Sequence, residues 1–382
     1  MIKRFKFLLF LLSGLLLLLG LLWSLVWINF GGGENYPDRS TNPILPASEI
    51  SIVAESEQPF GNLAVSTNKR LFFTIHPESN PKLNKLMELK DDTAVPYPSA
   101  DFQRDSLVSP LGLSIDQFNR LWVIDHGNHA TKNARVLCFD LSTDKIVYYH
   151  EFPKALAPLG SYFNDIQISN DGRFLFISDV SAIGQDPAIV IHDTQDLKSK
   201  RRLAGTHSVK AEKFVIQSYL GEMKYFLNSV TLKLGVDGLV LGPKGQYLYF
   251  AAMNNYGLYR IPIAVLDNFY LSDYEVNAKV EFVSEKVLSD GLSIDQSGTV
   301  FMCDIEHSGI AQWSEANGLE TLVSSPSSVR WADGMCFGPD TCLYFTDSAL
   351  PDLLFTSDES MKEAAPYYLY KIQMTIPGFP GR

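Results

Sequence analysis

Six copies of one sequence unit constrain the fold of this chain more than any other feature. Each begins with a short apolar run, passes through a polar turn, and continues into a second run rich in aromatic and β-branched residues. The copies read GNLAVSTNKRLFFTIH from Gly61, LGLSIDQFNRLWVIDH from Leu111, NDIQISNDGRFLFISD from Asn164, DGLVLGPKGQYLYFAA from Asp237, DGLSIDQSGTVFMCDI from Asp290 and DGMCFGPDTCLYFTDS from Asp333. Their starting positions are 50, 53, 73, 53 and 43 residues apart, and further strand-like runs such as RVLCFD and GLYRI follow them. Short strands at even spacing, with turn residues between them, define an all-β class. Six units, each with room for four strands, specify a six-bladed β-propeller. The long 73-residue interval predicts an insertion on one face.

In a propeller the first strand of each blade lines the central channel. Gly61, Leu111, Asn164, Asp237, Asp290 and Asp333 are therefore expected in one ring at the channel mouth. The glycine that follows the acid in DGL and DGM has an architectural reason, because the chain turns into a crowded inner strand. The three acids have no such reason. Converging carboxylates repel one another unless a cation, shared protons or an arginine compensates. Oxygen ligands of this kind suit calcium or another divalent cation, with Asp237, Asp290 and Asn164 as the expected metal ligands. The competing reading has each Asp accepting amide hydrogen bonds at its own turn.

A second acid series, Asp125, Asp179, Asp304 and Asp347, closes the outgoing strand in four blades, and its regularity favours a capping role. His76, His126, His129 and His307 lie beside the strand ends. His126 and His307 are the candidate proton shuttles, with Asp290 and Asp333 as catalytic acids or bases. Tyr162 and Phe163 before Asn164, and Trp331 before Asp333, are candidate walls for a planar organic ligand, while Tyr256 and Trp313 read as packing between blades. No nucleophile elbow, zinc-protease helix, phosphate loop or dinucleotide fingerprint is present.

Outside the repeat, Phe7 to Phe30 runs without a charge behind Lys3, Arg4 and Lys6. That length spans a bilayer and exceeds the apolar core of a cleaved signal, so residues 1–30 are expected as an uncleaved anchor. Basic residues stay on the cytoplasmic side, which puts the rest of the chain outside, periplasmic or extracellular; secretion after signal cleavage is the alternative. Residues 31–49, rich in Gly, Pro and polar residues, read as a linker, and residues 50–382 as the propeller. A hydrophobic content of 46% supports a large core, and a net charge of −11 argues against a nucleic-acid partner. Cys336 and Cys342 flank a turn and could pair across a hairpin or remain buried thiols. None of the four cysteines has zinc-site spacing.

Several stretches in order, LGLSIDQFNRLWVIDHGN, ARVLCFDLSTDKIVYYHEFP, YFNDIQIS and DGLVLGPKGQYLYFAAMNNYGLYRIP, resemble the yellow/major royal jelly protein family over roughly residues 105 to 375. The resemblance implies a six-bladed propeller related to dopachrome tautomerase. The Asn-Asp and Asp-Gly-Met elements also look like the gluconolactonase superfamily, whose members bind a divalent cation at the channel. Carried over, Asn164 is the substrate-contacting residue, Asp290 the metal ligand and base, and Asp237 stands where a metal-binding Asn would be. The first-blade Glu ligand falls at Gly61, which cannot ligate. Three functions follow as expectations: a tautomerase-like isomerase, a metal-dependent lactonase, and a non-catalytic protein that binds small aromatic amines.

Overall fold

The computed structural model describes residues 2–382 and consists of an N-terminal helix, Ile2–Phe30, followed by six four-stranded antiparallel sheets around one axis. Met1, the first residue of the expected anchor, lies outside the described residues. Blades 1 to 5 span residues 60–96, 110–151, 163–202, 236–285 and 289–324, and blade 6 begins at residue 332. Blade 6 draws three strands from Ala332–Phe337, Cys342–Asp347 and Tyr367–Gln373, and its outermost strand is Ser51–Ser56, paired antiparallel with Tyr367–Gln373. Closure by a strand from before blade 1 ties the first blade to the last and leaves the ring without a seam held only by side chains.

The innermost strands are buried along their whole length, whereas an outer strand such as Lys145–Glu151 is mostly exposed. Inner strands are packed on both faces by their neighbours, so they read as near-continuous apolar runs rather than as alternating ones. Large side chains fill the wedges between blades: Phe176, Leu239 and Phe250 pack in one such cluster, and Trp122, Phe152 and Phe163 in another.

At one end of the channel, where the inner strands finish, the segment 378–382 crosses the opening. The main-chain oxygen of Arg382 accepts from the Ser293 hydroxyl and the Phe337 amide, and that of Gly381 accepts from the Ile115 amide. That end is closed. The other end carries the connections into each inner strand, including the insertion between blades 3 and 4, which forms short two-stranded ladders.

The stretch expected as a linker, residues 31–49, is held along this open end. Glu34 and Asn35 pair with Phe214 and Val215, the buried Tyr36 hydroxyl donates to the Lys286 carbonyl, and Ile44 and Leu45 bond to Thr321 and Leu322.

All four cysteines are free and buried. Cys336 stands opposite Tyr344 rather than Cys342, and Cys342 Sγ donates to Gln373 Oε1. The hairpin register therefore decides the question left open by the sequence in favour of thiols. Native protein is expected to leave a thiol-reactive chromogenic reagent almost unreacted, with all four groups titrating once denaturant is added; one disulfide would leave two.

Candidate functional site

The six ring positions share one backbone device. In every blade the register between the first two strands slips at the second residue of the inner strand, so two inner residues oppose one on the next strand. The bulged pairs are Gly61-Asn62, Leu111-Gly112, Asn164-Asp165, Asp237-Gly238, Asp290-Gly291 and Asp333-Gly334. A bulge re-aims a side chain that regular pleating would turn sideways. Here its first residue points to the axis, and where its second is glycine that residue packs against the following blade. A Cβ on Gly291 would sit 2.5 Å from the Asp333 carbonyl oxygen, and one on Gly334 would sit 2.8 Å from Asn62 Cα. The opposing residue often clips the next blade: the Thr74 hydroxyl donates to the Leu111 carbonyl at 2.9 Å, and Cys303 Sγ to the Asp333 carbonyl at 2.8 Å.

Asp237, Asp290, Asp333 and Asn164 meet at the floor of a cavity of about 360 Å³ that opens at the unplugged end. Asn164 Nδ2 donates to Asp237 Oδ1 at 2.5 Å, and the buried indole of Trp331 donates to Asp290 Oδ2 at 2.8 Å. Asp165, at the second bulge position of blade 3, accepts from Asn62 Nδ2 behind this floor. One wall is polar and consists of His76, Glu78, His129 and Tyr162. The opposite wall is apolar and includes Leu232, Leu234, Met253, Leu350, Leu353 and Phe355.

Burial dominates the electrostatics of the floor. It pushes the Asp290 carboxyl up to about 7, with the Trp331 hydrogen bond and the Lys286 ammonium pulling the other way. Burial and the Asp290 charge raise Asp165 to about 7, while burial and the neighbouring carboxylates raise Asp237 and Asp333 well above the ordinary range. Lys286 is fully buried, bonded to the Val287 carbonyl at 2.9 Å, and its ammonium is brought down to about 7 by desolvation. On the polar wall, burial holds His76 at about 4 and His126 at about 3, so both are neutral near pH 7. Burial opposes the charge of Glu78, but the hydrogen bond from His129 Nε2 at 3.1 Å and the adjoining imidazoles keep it ionised, at about 2. The floor is thus proton-loaded and the wall carries one fixed negative charge.

Four expected site residues are placed elsewhere. His307 turns away from the axis into an ion pair with Asp304, which together with Asp38 at 3.2 Å raises its imidazole to about 9. It clamps the segment 31–49 to blade 5. His126 is buried behind the wall, its ring stacked on Tyr162 at 4.1 Å, and it reaches the cavity only through that ring. Phe163 packs into the wedge between blades 2 and 3 against Phe152, because the residue before the bulge points away from the axis. Trp331 supports Asp290 from behind and forms no wall. Tyr162 does line the cavity. The second acid series caps: Asp125, Asp179 and Asp347 accept amides of the chain entering their own blade and pair with Arg135, Arg201 and Arg330, and Asp304 accepts the Glu306 and His307 amides.

Glu78 and Lys286 carry no local signal in the sequence. Glu78 lies in the connection after the blade 1 outgoing strand and Lys286 immediately before VLSDG; the fold sets Glu78 in the cavity wall and Lys286 within reach of the Asp290 charge.

The all-oxygen floor has the chemistry of a hard-cation site, but its donors do not fit a resident divalent ion well. Asn164 spends its amide on Asp237, one Asp290 oxygen is held by Trp331, and blade 1 contributes Gly61. Among the described residues no three His, Cys, Asp or Glu side chains are grouped to hold a metal.

Comparison with known proteins places this architecture. The sequence profile described as "Major royal jelly protein" matches residues 108–337, more than half of the chain. Among relatives, major royal jelly protein 3 of Apis mellifera is 26% identical over 243 residues, covering 59% of this chain and 42% of that protein. The yellow-related salivary protein SP03 of Phlebotomus perniciosus is 28% identical over 197 residues, covering 46% and 47%. The chain spans about half the length of the curated relatives it matches. Among solved structures, the calcium-binding protein regucalcin of Agrobacterium tumefaciens superposes with a TM-score of 0.57 at 14% identity, covering 89% of this chain and 98% of that one. A gluconolactonase from Xanthomonas campestris gives 0.53 at 12% identity, with 91% and 97% covered. These likenesses show the propeller fold.

Proposed function

The chain belongs to the major royal jelly protein family, and from that premise we propose that it binds a small organic cation with an aromatic or apolar body in the channel cavity. The observation that carries this reading is the cavity itself: three buried carboxyl groups and the ionised Glu78 face an apolar wall across about 360 Å³. Uncompensated, the floor carboxyls avoid mutual repulsion by holding protons. An ammonium group supplies the missing positive charge, and the rest of the molecule buries apolar surface against Leu234, Met253 and Leu353.

Membrane attachment belongs to the same reading. The helix segment Arg4–Phe30 contains an 18-residue window of mean hydropathy 2.5 with none of it buried, and it is long and apolar enough to cross a bilayer. With Lys3, Arg4 and Lys6 retained in the cytoplasm, the propeller faces outward.

Purified full-length protein is expected to gain thermal stability in proportion to the logarithm of added phenethylamine or tryptamine, about 2.7 kcal/mol at a hundredfold excess over Kd. Neutral isosteres in which a hydroxyl replaces the amine should give little. Equal shifts from amine and alcohol, or none from either, would sink the proposal.

A second reading, proton transfer on the bound molecule, is favoured by Asp290, whose carboxyl titrates near neutral pH in the cavity floor. An aminochrome incubated in the same assay distinguishes the two, since isomerisation must outpace the uncatalysed reaction. The lactonase reading needs a resident metal that the donor arrangement does not favour.

A further inference from the structure

The end of the N-terminal helix and the wall of the cavity are held by one short segment, residues 231–234. Thr231 Oγ1 donates to the Phe30 carbonyl at 2.8 Å and to that of Gly32 at 3.0 Å, while Lys233 Nζ donates to the Gly31 carbonyl at 2.8 Å. The alternate residues of that segment, Leu232 and Leu234, line the cavity. Residues 231 and 233 hold the helix end while 232 and 234 line the cavity, so a single segment of chain separates the helix end from the ligand site.

Around the mouth the surface is apolar in a way a soluble rim is not. Ile183 and Phe355 line the cavity and are also well exposed. The exposed ring of Phe226 lies 5.0 Å from that of Phe355, and the adjoining Leu227 is 96% exposed at the tip of a hairpin in the insertion. Exposed Leu159 adjoins Ile183 through Gly160 and Gly184, and exposed Leu220 follows Tyr219, whose hydroxyl donates to Asp352 in the cavity-lining segment 350–356. These residues come from four separate connections, all at the end of the blades where the inner strands begin. Contiguous exposed apolar surface marks an interaction site.

We propose that this collar rests on the bilayer that the N-terminal helix crosses, so that the cavity opens onto the lipid surface and takes its ligand from there. The proposal rests on the anchor reading above, which supplies the occupant. A helix that spans a bilayer ends at the headgroups, and the hydrogen bonds from Thr231 and Lys233 bring the collar to the same level. Aromatic and aliphatic side chains buried several ångströms into the headgroup layer are held there by the apolar area they remove from water. A net charge of −11 leaves no electrostatic attraction to anionic lipid, so docking is to be sought on zwitterionic membranes. An amphiphilic cation concentrates in that layer with its charge toward water, which matches an apolar mouth above an acidic floor.

The test uses full-length protein reconstituted in phosphatidylcholine vesicles carrying a small fraction of lipid spin-labelled near the headgroup. Because the native thiols are buried, a cysteine introduced by Leu227→Cys or Phe355→Cys accepts an environment-sensitive fluorophore selectively. Tyr270→Cys, 97% exposed on the opposite end of blade 4, is the control. Docking predicts quenching by the labelled lipid several-fold stronger at 227 and 355 than at 270, with a blue-shifted emission. Protein that floats with the vesicles but is quenched no more at 227 and 355 than at 270 overturns the docking while sparing the anchor. Protein that does not float overturns both.

Discussion

Replacing Gly112 with alanine is expected to lower the stability of the propeller by about 3 kcal/mol or more, read as a fall in the denaturant midpoint. A Cβ at this position would fall on the Asn164 carbonyl of blade 3, with Asp165 Cα behind it, and both are main-chain atoms of a buried inner strand. Relief requires the neighbouring blade to move outward, which opens the packing of the whole ring. Gly291→Ala should behave similarly against the Asp333 carbonyl. Gly242→Ala is the control: its new Cβ would meet nothing closer than the Tyr249 ring at 3.3 Å, and its cost should stay within about 1 kcal/mol. Equal costs at 112 and 242 would show that the clash between blades does not set the price.

That comparison also explains what the sequence disclosed. The repeat specified six blades because each unit carries strand, turn and strand locally, and local signals survive without tertiary information. It specified the ring for the same reason, since the inner strand of every unit begins at the same place in the pattern. The two residues of each bulge were harder to read. An Asp-Gly pair looks like a turn, yet here it is a kink inside a strand, where the acid faces the axis and the glycine makes room for the next blade. For His307 and Trp331, adjacency in sequence is not adjacency at the axis. His307 leaves the strand end in the opposite direction, and Trp331 precedes the bulge and so points behind it. The apolar wall had no local signal: Leu232, Met253 and Leu353 come from an insertion, a blade 4 connection and a blade 6 connection that meet only when the ring closes.

The burial of four carboxyls with one ammonium also places this floor at odds with the stability of the empty protein. The capping residues Asp125, Asp179 and Asp347 are paired with arginines, Asp179 with Arg201 at 2.6 Å, whereas Asp237 and Asp333 have no such partner in the floor. His76 Nε2 approaches Asp333 Oδ2 only to 3.7 Å, and burial keeps that imidazole neutral. Buried like charges retained at a cavity are a feature of binding sites, where the compensating charge arrives with the ligand.

The consequence is a substitution with opposite effects on the two properties. Asp290→Asn is expected to stabilise the ligand-free protein at pH 8 and to weaken amine binding about 30-fold there, close to 2 kcal/mol. The sign follows from the raised carboxyl. With a folded pKa of about 7 against an ordinary value of 3.8, the contribution of protonated Asp290 is fully present below the ordinary carboxyl range and is lost as pH rises through about 7. Asparagine cannot ionise, so the variant keeps what the wild type loses; the advantage should vanish near pH 4. Binding runs the other way. An alkylamine stays protonated throughout this interval, so wild-type affinity should rise between pH 6 and 8 as Asp290 becomes negative. His76 and His126 are neutral across that range, while Lys286 and Asp165, both titrating near 7, act in the same direction and leave the variant a shallower slope. Urea unfolding without ligand at pH 5 and pH 8, paired with calorimetric titration of tryptamine, separates the alternatives. If Asp290 only braces the Trp331 indole, the variant will be less stable at both pH values and its affinity will keep the wild-type pH dependence.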